Sequence, residues 1–442
     1  MSTPPTSLLR TAIAALSTAI VAPLALAAAP ASAAGDLYVG AGGSDRATGT
    51  RAAPLGTVQA AVDRAKPGTT IRLLPGTYSG NVKIRTSGTA AAPIRLTAST
   101  PGTVRLTYNS APQPCNNSQP AADRTVTIGD GADYWTIDNL AIHNGIWISG
   151  KQSNVAYNWL TNLVNKRDWA TRRRVPGHSA YDPAAALGSI PYLRAVTKSP
   201  EMDASVGVKI LNNTLTGRGI YGALTSYGNI SGNRISQIPC GIGPGIWLMT
   251  FSNGWTIANN DVSDIAISKA AHFMQEGIRI GSAADYNTVT GNYVHDLPGD
   301  GRGINTDVDA SFNSIHHNRV HNVAIGYNDQ MSGWNNRWEY NVVTNYRTYG
   351  FGFRLMDAPL ATPSLASSSN LSVVRCNVAS GGIGNAKALG AGALLNATFT
   401  SNRFPVIWLG SNLQRYWGTY NNKWNGSSAT PSTTPAAQTL GC

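Results

Sequence analysis

A recurring phrase constrains this chain more than any other feature: an apolar residue, two variable residues, an asparagine, one variable residue and a second apolar residue. It occurs as Ile230-Ser-Gly-Asn233-Arg-Ile235, Ile257-Ala-Asn-Asn260-Asp-Val262, Val289-Thr-Gly-Asn292-Tyr-Val294 and Ile315-His-His-Asn318-Arg-Val320. Weaker copies run from Val155 to Asn158, Ile210 to Asn213, Trp338 to Asn341, Val374 to Asn377 and Phe399 to Asn402. From Asn213 onward the asparagines are 20, 27, 32, 26, 23, 36 and 25 residues apart. Self-similarity at an irregular period of roughly 20–35 residues marks a solenoid in which each copy is one coil.

One copy shows the geometry of a coil. Ile278-Arg279-Ile280 alternates as a first strand, a second centres on Val289 and a third on Val294. An asparagine kept at one turn can bond the coils on either side and tolerates the left-handed backbone of a sharp bend. Stacked at about 4.8 Å per coil, such asparagines form a ladder. The spans Ile246 to Trp255, Ile278 to Asn287 and Ile304 to Asn313 are all nine residues, so three coils share one register.

The chain opens with Arg10, an apolar stretch from Thr11 to Ala27, and the small-residue site Ala31-Ser32-Ala33. This predicts a signal peptide over 1–34 and an exported product, with no later stretch long and apolar enough to span a bilayer. Export permits disulfides among Cys115, Cys240, Cys376 and Cys442. Two are expected, one of them tying Cys442 to the body, with the pairing left open. Charged residues are only 13% and glycines number 46, which suits β structure with many tight turns. The net charge of +12 suits an acidic polymer as partner, or solubility alone; no nucleic-acid motif is present.

Before the first coil, Pro54 to Ala65 reads as a helix with Thr57 as N-cap, placed to cover the open end of the core. The string TVQAAVDRAKPGTTIRLLPGTYSG, within residues 37–107, resembles the N-terminus of right-handed parallel β-helix proteins of the pectate-lyase-like superfamily. The resemblance implies an all-β, three-sheet solenoid of about ten coils with an N-terminal capping helix. It points to secreted polysaccharide lyases and glycoside hydrolases, and the superfamily also holds epimerases and adhesins.

The resemblance further implies a ladder between the second and third sheets and a substrate groove over the first. By register, the outward positions of that sheet are Trp147, Tyr221, Trp247, Arg279, Asn305, Asn328 and Arg354, followed by Met249, Asp307 and Gln330. Aromatic faces stack on sugar rings, and arginines and amides bind hydroxyls or carboxylates. The longest insertions, at 166–206, 265–275 and 297–302, carry Arg172, Arg173, Arg174, His178 and Asp182, then Lys269 and His272, then Asp300.

Two chemistries compete. A lyase would take the C5 proton of a uronate with Lys269, Arg279 or His272, and neutralise the carboxylate with a cation such as Ca²⁺ at Asp307, Asp309 and Asp285. A hydrolase would use a carboxyl pair among Glu276, Asp300, Asp307 and Asp329 on neighbouring coils. Asn305-Thr-Asp307 resembles the NTD string of polygalacturonase-type hydrolases, though the rest of that motif does not follow. His295 and His321 share one outward register, as a surface stack rather than a metal pair.

The expectation is a monomeric exported enzyme with a β-helix over 35–426 and a Ser/Thr/Pro-rich tail over 427–442. It cleaves a polysaccharide, first by β-elimination of an acidic glycan, second by hydrolysis. A non-catalytic glycan-binding surface protein is the remaining alternative.

Overall fold

In the computed structural model, thirteen short strands form one parallel row, from Leu37–Val39 through Thr70–Leu73 and Thr288–Thr290 to Lys423–Trp424. The structure describes residues 35–108, 124–129, 131–150, 204–239, 243–265, 275–282, 284–307, 310–330, 335–355, 372–392, 397–419, 421–435 and 442. The predicted signal peptide and the insertion residues Lys269 and His272 lie outside these, as do Arg172 to Arg174, His178, Asp182, Asp309, Cys115 and Cys240. The row of thirteen is longer than the about ten coils expected, its first five strands preceding Asn213, the earliest ladder asparagine among the described residues.

The other two faces are also parallel. One row contains Ile246–Met249, Glu276–Gly281 and Arg302–Asp307; the other contains Asp261–Ser263 and Tyr293–His295. These two rows join into one 19-stranded sheet, so the three faces expected are present with two of them continuous. The strands Arg319–Asp329 and Val342–Phe353 run from the third face into the first without an intervening loop, with a register shift between Val323 and Ile325. Strand, bend and strand repeat with the right-handed crossover that parallel strands impose, giving the right-handed parallel β-helix. Inward residues such as Ile278, Ile280, Val289, Val294 and Ile304 are fully buried in one elongated core.

The asparagine ladder is present. Each main-chain N–H from Asn213 to Asn377 donates to the side-chain oxygen of the next ladder asparagine, at 3.0 Å for Asn233 to Asn260 and for Asn260 to Asn292. Each side-chain amide also donates back one coil, Asn260 Nδ2 to the Ile230 carbonyl at 2.9 Å. The left-handed residue is not the asparagine but the one before it: Asn212, Asn259, His317, Tyr340, Cys376 and Ser401 have φ of 54°, 54°, 56°, 54°, 55° and 54°. The ladder position itself must keep its amide pointed inward, so the bend falls on its neighbour. Left-handed backbone costs L residues roughly 1–2 kcal/mol each.

Two further columns were not expected. Asn287, Asn313 and Asn336 form a second ladder at the turn entering the thirteen-strand row, Asn287 N to Asn313 Oδ1 at 2.9 Å. Glycines 219, 245, 277, 303, 326 and 350 line the entry to the first face. A Cβ on Gly303 would lie 2.4 Å from the Gly326 carbonyl oxygen, and one on Gly326 2.5 Å from that of Gly350.

The ends are closed. Helix α1, Val58–Arg64, is capped by Thr57, whose hydroxyl accepts from Ala60 N, and it buries Val58, Ala61 and Val62 at the start of the core. At the other end the Ser/Thr/Pro-rich segment lies on the body: Ile407 N donates to the Thr433 carbonyl at 2.8 Å, and Thr430 Oγ1 to that of Gln414 at 2.9 Å. Cys376 and Cys442 form a disulfide, the tie to the body expected for the last residue. Among the described residues no helix is long and apolar enough to cross a membrane.

Candidate active site

The first face carries one outward column by backbone register: Trp147, Tyr221, Trp247, Arg279, Asn305 and Asn328 are successive partners. The column ends differently from the expectation. Asn328 pairs with Gly352, and Arg354 stands two residues further on, at the end of its strand in a left-handed conformation with φ of 51°. The strand Val342–Phe353 crosses the corner with a register shift, so counting from Asn341 overshoots.

At the centre of the column, Arg279 lies between two carboxylates. Its Nη1 donates to Glu276 Oε1 at 2.7 Å, and its Nη2 to Asp307 Oδ2 on the adjacent coil. Gly281 intervenes in the outward register between Arg279 and Asp307, leaving the guanidinium room to reach across. Glu276 Oε1 also accepts from Asn305 Nδ2 at 3.2 Å and lies 3.6 Å from Arg302 Nη1. Asn328 Nδ2 donates to Asn305 Oδ1 at 2.8 Å, and Arg302 Nη1 donates to Gln330 Oε1. Glu276 and Asn305 are fully buried, and Asp307 is nearly so. Burial alone would lower the affinity of Arg279 for its proton, but Glu276 and Asp307 reverse this and raise its pKa above the ordinary arginine value. Arg279 thus holds its positive charge between the two carboxylates.

The cluster adjoins an aromatic strip. The Arg279 guanidinium lies 5.4 Å from the Trp247 ring centroid, and Tyr221 packs edge-on against Trp247 at 5.6 Å. Trp147 and Met249 complete this apolar patch. Arg124, which the sequence reading missed, is buried with its guanidinium 4.3 Å from the Tyr221 ring centroid. Burial raises the Tyr221 pKa, with Arg124 opposing. Three buried polar atoms here have no hydrogen-bond partner: Trp247 Nε1, Arg279 Nε and Glu276 Oε2. Such atoms are rare in folded proteins.

Other expected site residues stand apart. Asp329 falls in the inward register with Thr306, whose hydroxyl donates to it at 3.0 Å, and Arg354 Nε approaches it at 3.9 Å. Asp300 is exposed in a turn, where its charge acts on Arg347. Arg302 and Gln330 join the cluster; Arg302 could have been found from its place opposite Glu276 in the register. His295 stacks on Tyr293, and its ring nitrogens meet Asp296 and Asp261.

Calcium takes six to eight oxygens. Asp307 is bound to Arg279, Asp285 Oδ1 accepts from the Ser311 amide at 2.7 Å, and Asp309 lies outside the described residues. Among the described residues no three His, Cys, Asp or Glu side chains gather as a metal site. An arginine already fills the space between the two buried carboxylates. The described donors therefore do not fit a calcium cradle.

This architecture is a right-handed parallel β-helix, the fold that the sequence resemblance implied. Comparison with known proteins gives partial similarities. A family described as a protein of unknown function (DUF1565) matches residues 41–85. Pectate lyase PEL9 of Emericella nidulans is 33% identical over 165 residues, which span 36% of this chain and 40% of that relative. Among solved structures, pectate lyase Pel9A superposes over 93% of this chain and 90% of its own, with a TM-score of 0.45 and 12% identity. A glycoside hydrolase covers 89% and 96%, with a TM-score of 0.49 and 10% identity.

Proposed function

We propose that this chain is an exported polysaccharide-degrading enzyme that cleaves a uronate-containing glycan by β-elimination over the first face. The observation that carries the reading is the charged cluster of Arg279, Glu276, Asp307 and Arg302 beside an aromatic strip on the first face. Trp147, the half-buried member of that strip, stacks on a sugar ring. Asn305 and Asn328 orient the chain, and Arg302, which is partly exposed, receives the substrate carboxylate. Arg279 holds positive charge beside the carboxylate as its C5 proton becomes acidic. Lys269 accepts that proton; the freed electron pair forms the C4–C5 double bond as the C4–O bond breaks, and the departing oxygen takes a proton from water. The curated relative's name, pectate lyase, supports this chemistry over hydrolysis.

A second reading rests on Glu276 and Asp307. They stand on adjacent coils, Glu276 opposite Arg302 and Asp307 opposite Gly281, and the Arg279 guanidinium brings both carboxyls to one point; retaining glycosidases hold their two carboxyls about 5 Å apart. With Asp300 as an outlying acid, they would hydrolyse the glycosidic bond.

The test is incubation of the purified chain with polygalacturonate, alginate and xylan, following ultraviolet absorbance of the unsaturated ends and reducing ends in parallel. β-Elimination predicts that both rise together and that Lys269→Ala stops both. Reducing ends without absorbance would establish hydrolysis, and silence on every polymer would overturn the enzymatic reading.

A further inference from the structure

Where the corner from the first face meets the thirteen-strand row, one left-handed position recurs in successive coils. The column runs Tyr134, Gly207, Tyr227, Gly254, Tyr286 and Phe312, with φ of 51°, 71°, 54°, 69°, 59° and 57°. Hydrogen bonds fix it as one position: Tyr134 N donates to the Val206 carbonyl, Gly207 N to Ser226, Tyr227 N to Asn253, Gly254 N to Asp285 and Tyr286 N to Ser311. Tyrosine and glycine alternate, and each glycine makes room for a ring. A Cβ on Gly207 would lie 2.5 Å from Tyr134 Cδ1, and one on Gly254 2.7 Å from Tyr227 Cδ1. Phe312 stacks on Tyr286 with centroids 4.9 Å apart and planes 9° from parallel.

Tyr227 and Tyr286 are nevertheless 58% and 48% exposed. The bend does not require them, because Asn335 adopts φ of 52° one coil later. Bulky side chains at positive φ are outliers that ordinarily gain compensation from burial. Here they are held strained and in water. Tyr134, Tyr227 and Tyr286 recur every second coil, about 10 Å apart, comparable with two rings of an extended pyranose chain.

The geometry points to a second glycan-binding site: a rail of tyrosine rings parallel to the helix axis that holds an extended polysaccharide strand by ring stacking, apart from the Arg279 cluster. This site goes beyond the proposed cleavage and does not depend on it.

The experiment is affinity gel electrophoresis of the full chain in gels containing polygalacturonate or hydroxyethylcellulose, comparing wild type with the double variant Tyr227→Asn/Tyr286→Asn. Asparagine adopts the left-handed backbone readily, so the variant keeps or raises its thermal midpoint. The expected result is retardation of the wild type in at least one polymer and a tenfold or greater loss of apparent affinity in the variant. Unretarded wild type in both gels, or a variant retarded as strongly as wild type, overturns the site. A chain that is retarded but cleaves no glycan leaves the rail standing while the proposed activity fails.

Discussion

Each ladder asparagine serves three coils at once. Asn260 accepts from Asn233 N, and donates both to the Ile230 carbonyl and to Asn292 Oδ1. Asn260→Ala strands these buried groups, each costing about 1–3 kcal/mol, whereas Asn259→Gly, at the left-handed bend, should be neutral or stabilising. Urea titration of the two variants separates them. Histidines give the chain an acid sensitivity. His143 and His316 have pKa values lowered chiefly by burial, with Arg105 adding to the first, and with His317 adding to and Glu339 opposing the second. Below the ordinary histidine pKa of about 6.5 the unfolded chain binds protons that the folded chain refuses, so stability is full above that value and falls as pH drops. The thermal midpoint should decline on acidification, and His143→Gln/His316→Gln should flatten the slope. The ladder was legible because asparagine stands in a repeated phrase, but its neighbour's strain was not. Asn212, His317, Tyr340 and Cys376 have no common chemistry to mark the bend.

At the scale of elements, the glycine column decides how closely coils approach where they enter the first face. Gly303→Ala would press a methyl against the Gly326 carbonyl and Val320; overpacking of this kind costs about 1–3 kcal/mol. A drop in the denaturation midpoint, with the parallel-sheet circular dichroism retained, is the expected outcome. The column had a sequence signal, Gly-Ile at 219, 245, 277 and 303, hidden by attention to the asparagines. The candidate site was legible as far as strand register held. Trp147 to Asn328 align as counted, while Arg354 slips because a strand that turns a corner breaks the period. The pairing of Arg279 with both Glu276 and Asp307 was not legible, since it depends on which outward residue is a glycine. The tyrosine rail was missed because its members, 134, 227 and 286, share no motif.

For the whole molecule, the Cys376–Cys442 disulfide closes a loop with a sequence separation of 66 residues. The chain-entropy relation puts its contribution at about 4 kcal/mol, so Cys376→Ser should lower the thermal midpoint by several degrees and reduce its sensitivity to reductant. A solenoid melts from its ends, because a terminal coil has one neighbour and an internal coil two. The described strands Ala397–Thr400 and Lys423–Trp424 lie between the two cysteines in sequence. Since Cys376 sits at a bend of an earlier coil, a pull on the last residue is delivered there and bypasses those strands. The bond thus acts as a mechanical shunt: a chain pulled at Cys442 would bear the load on its interior while the coils between the two cysteines stay slack.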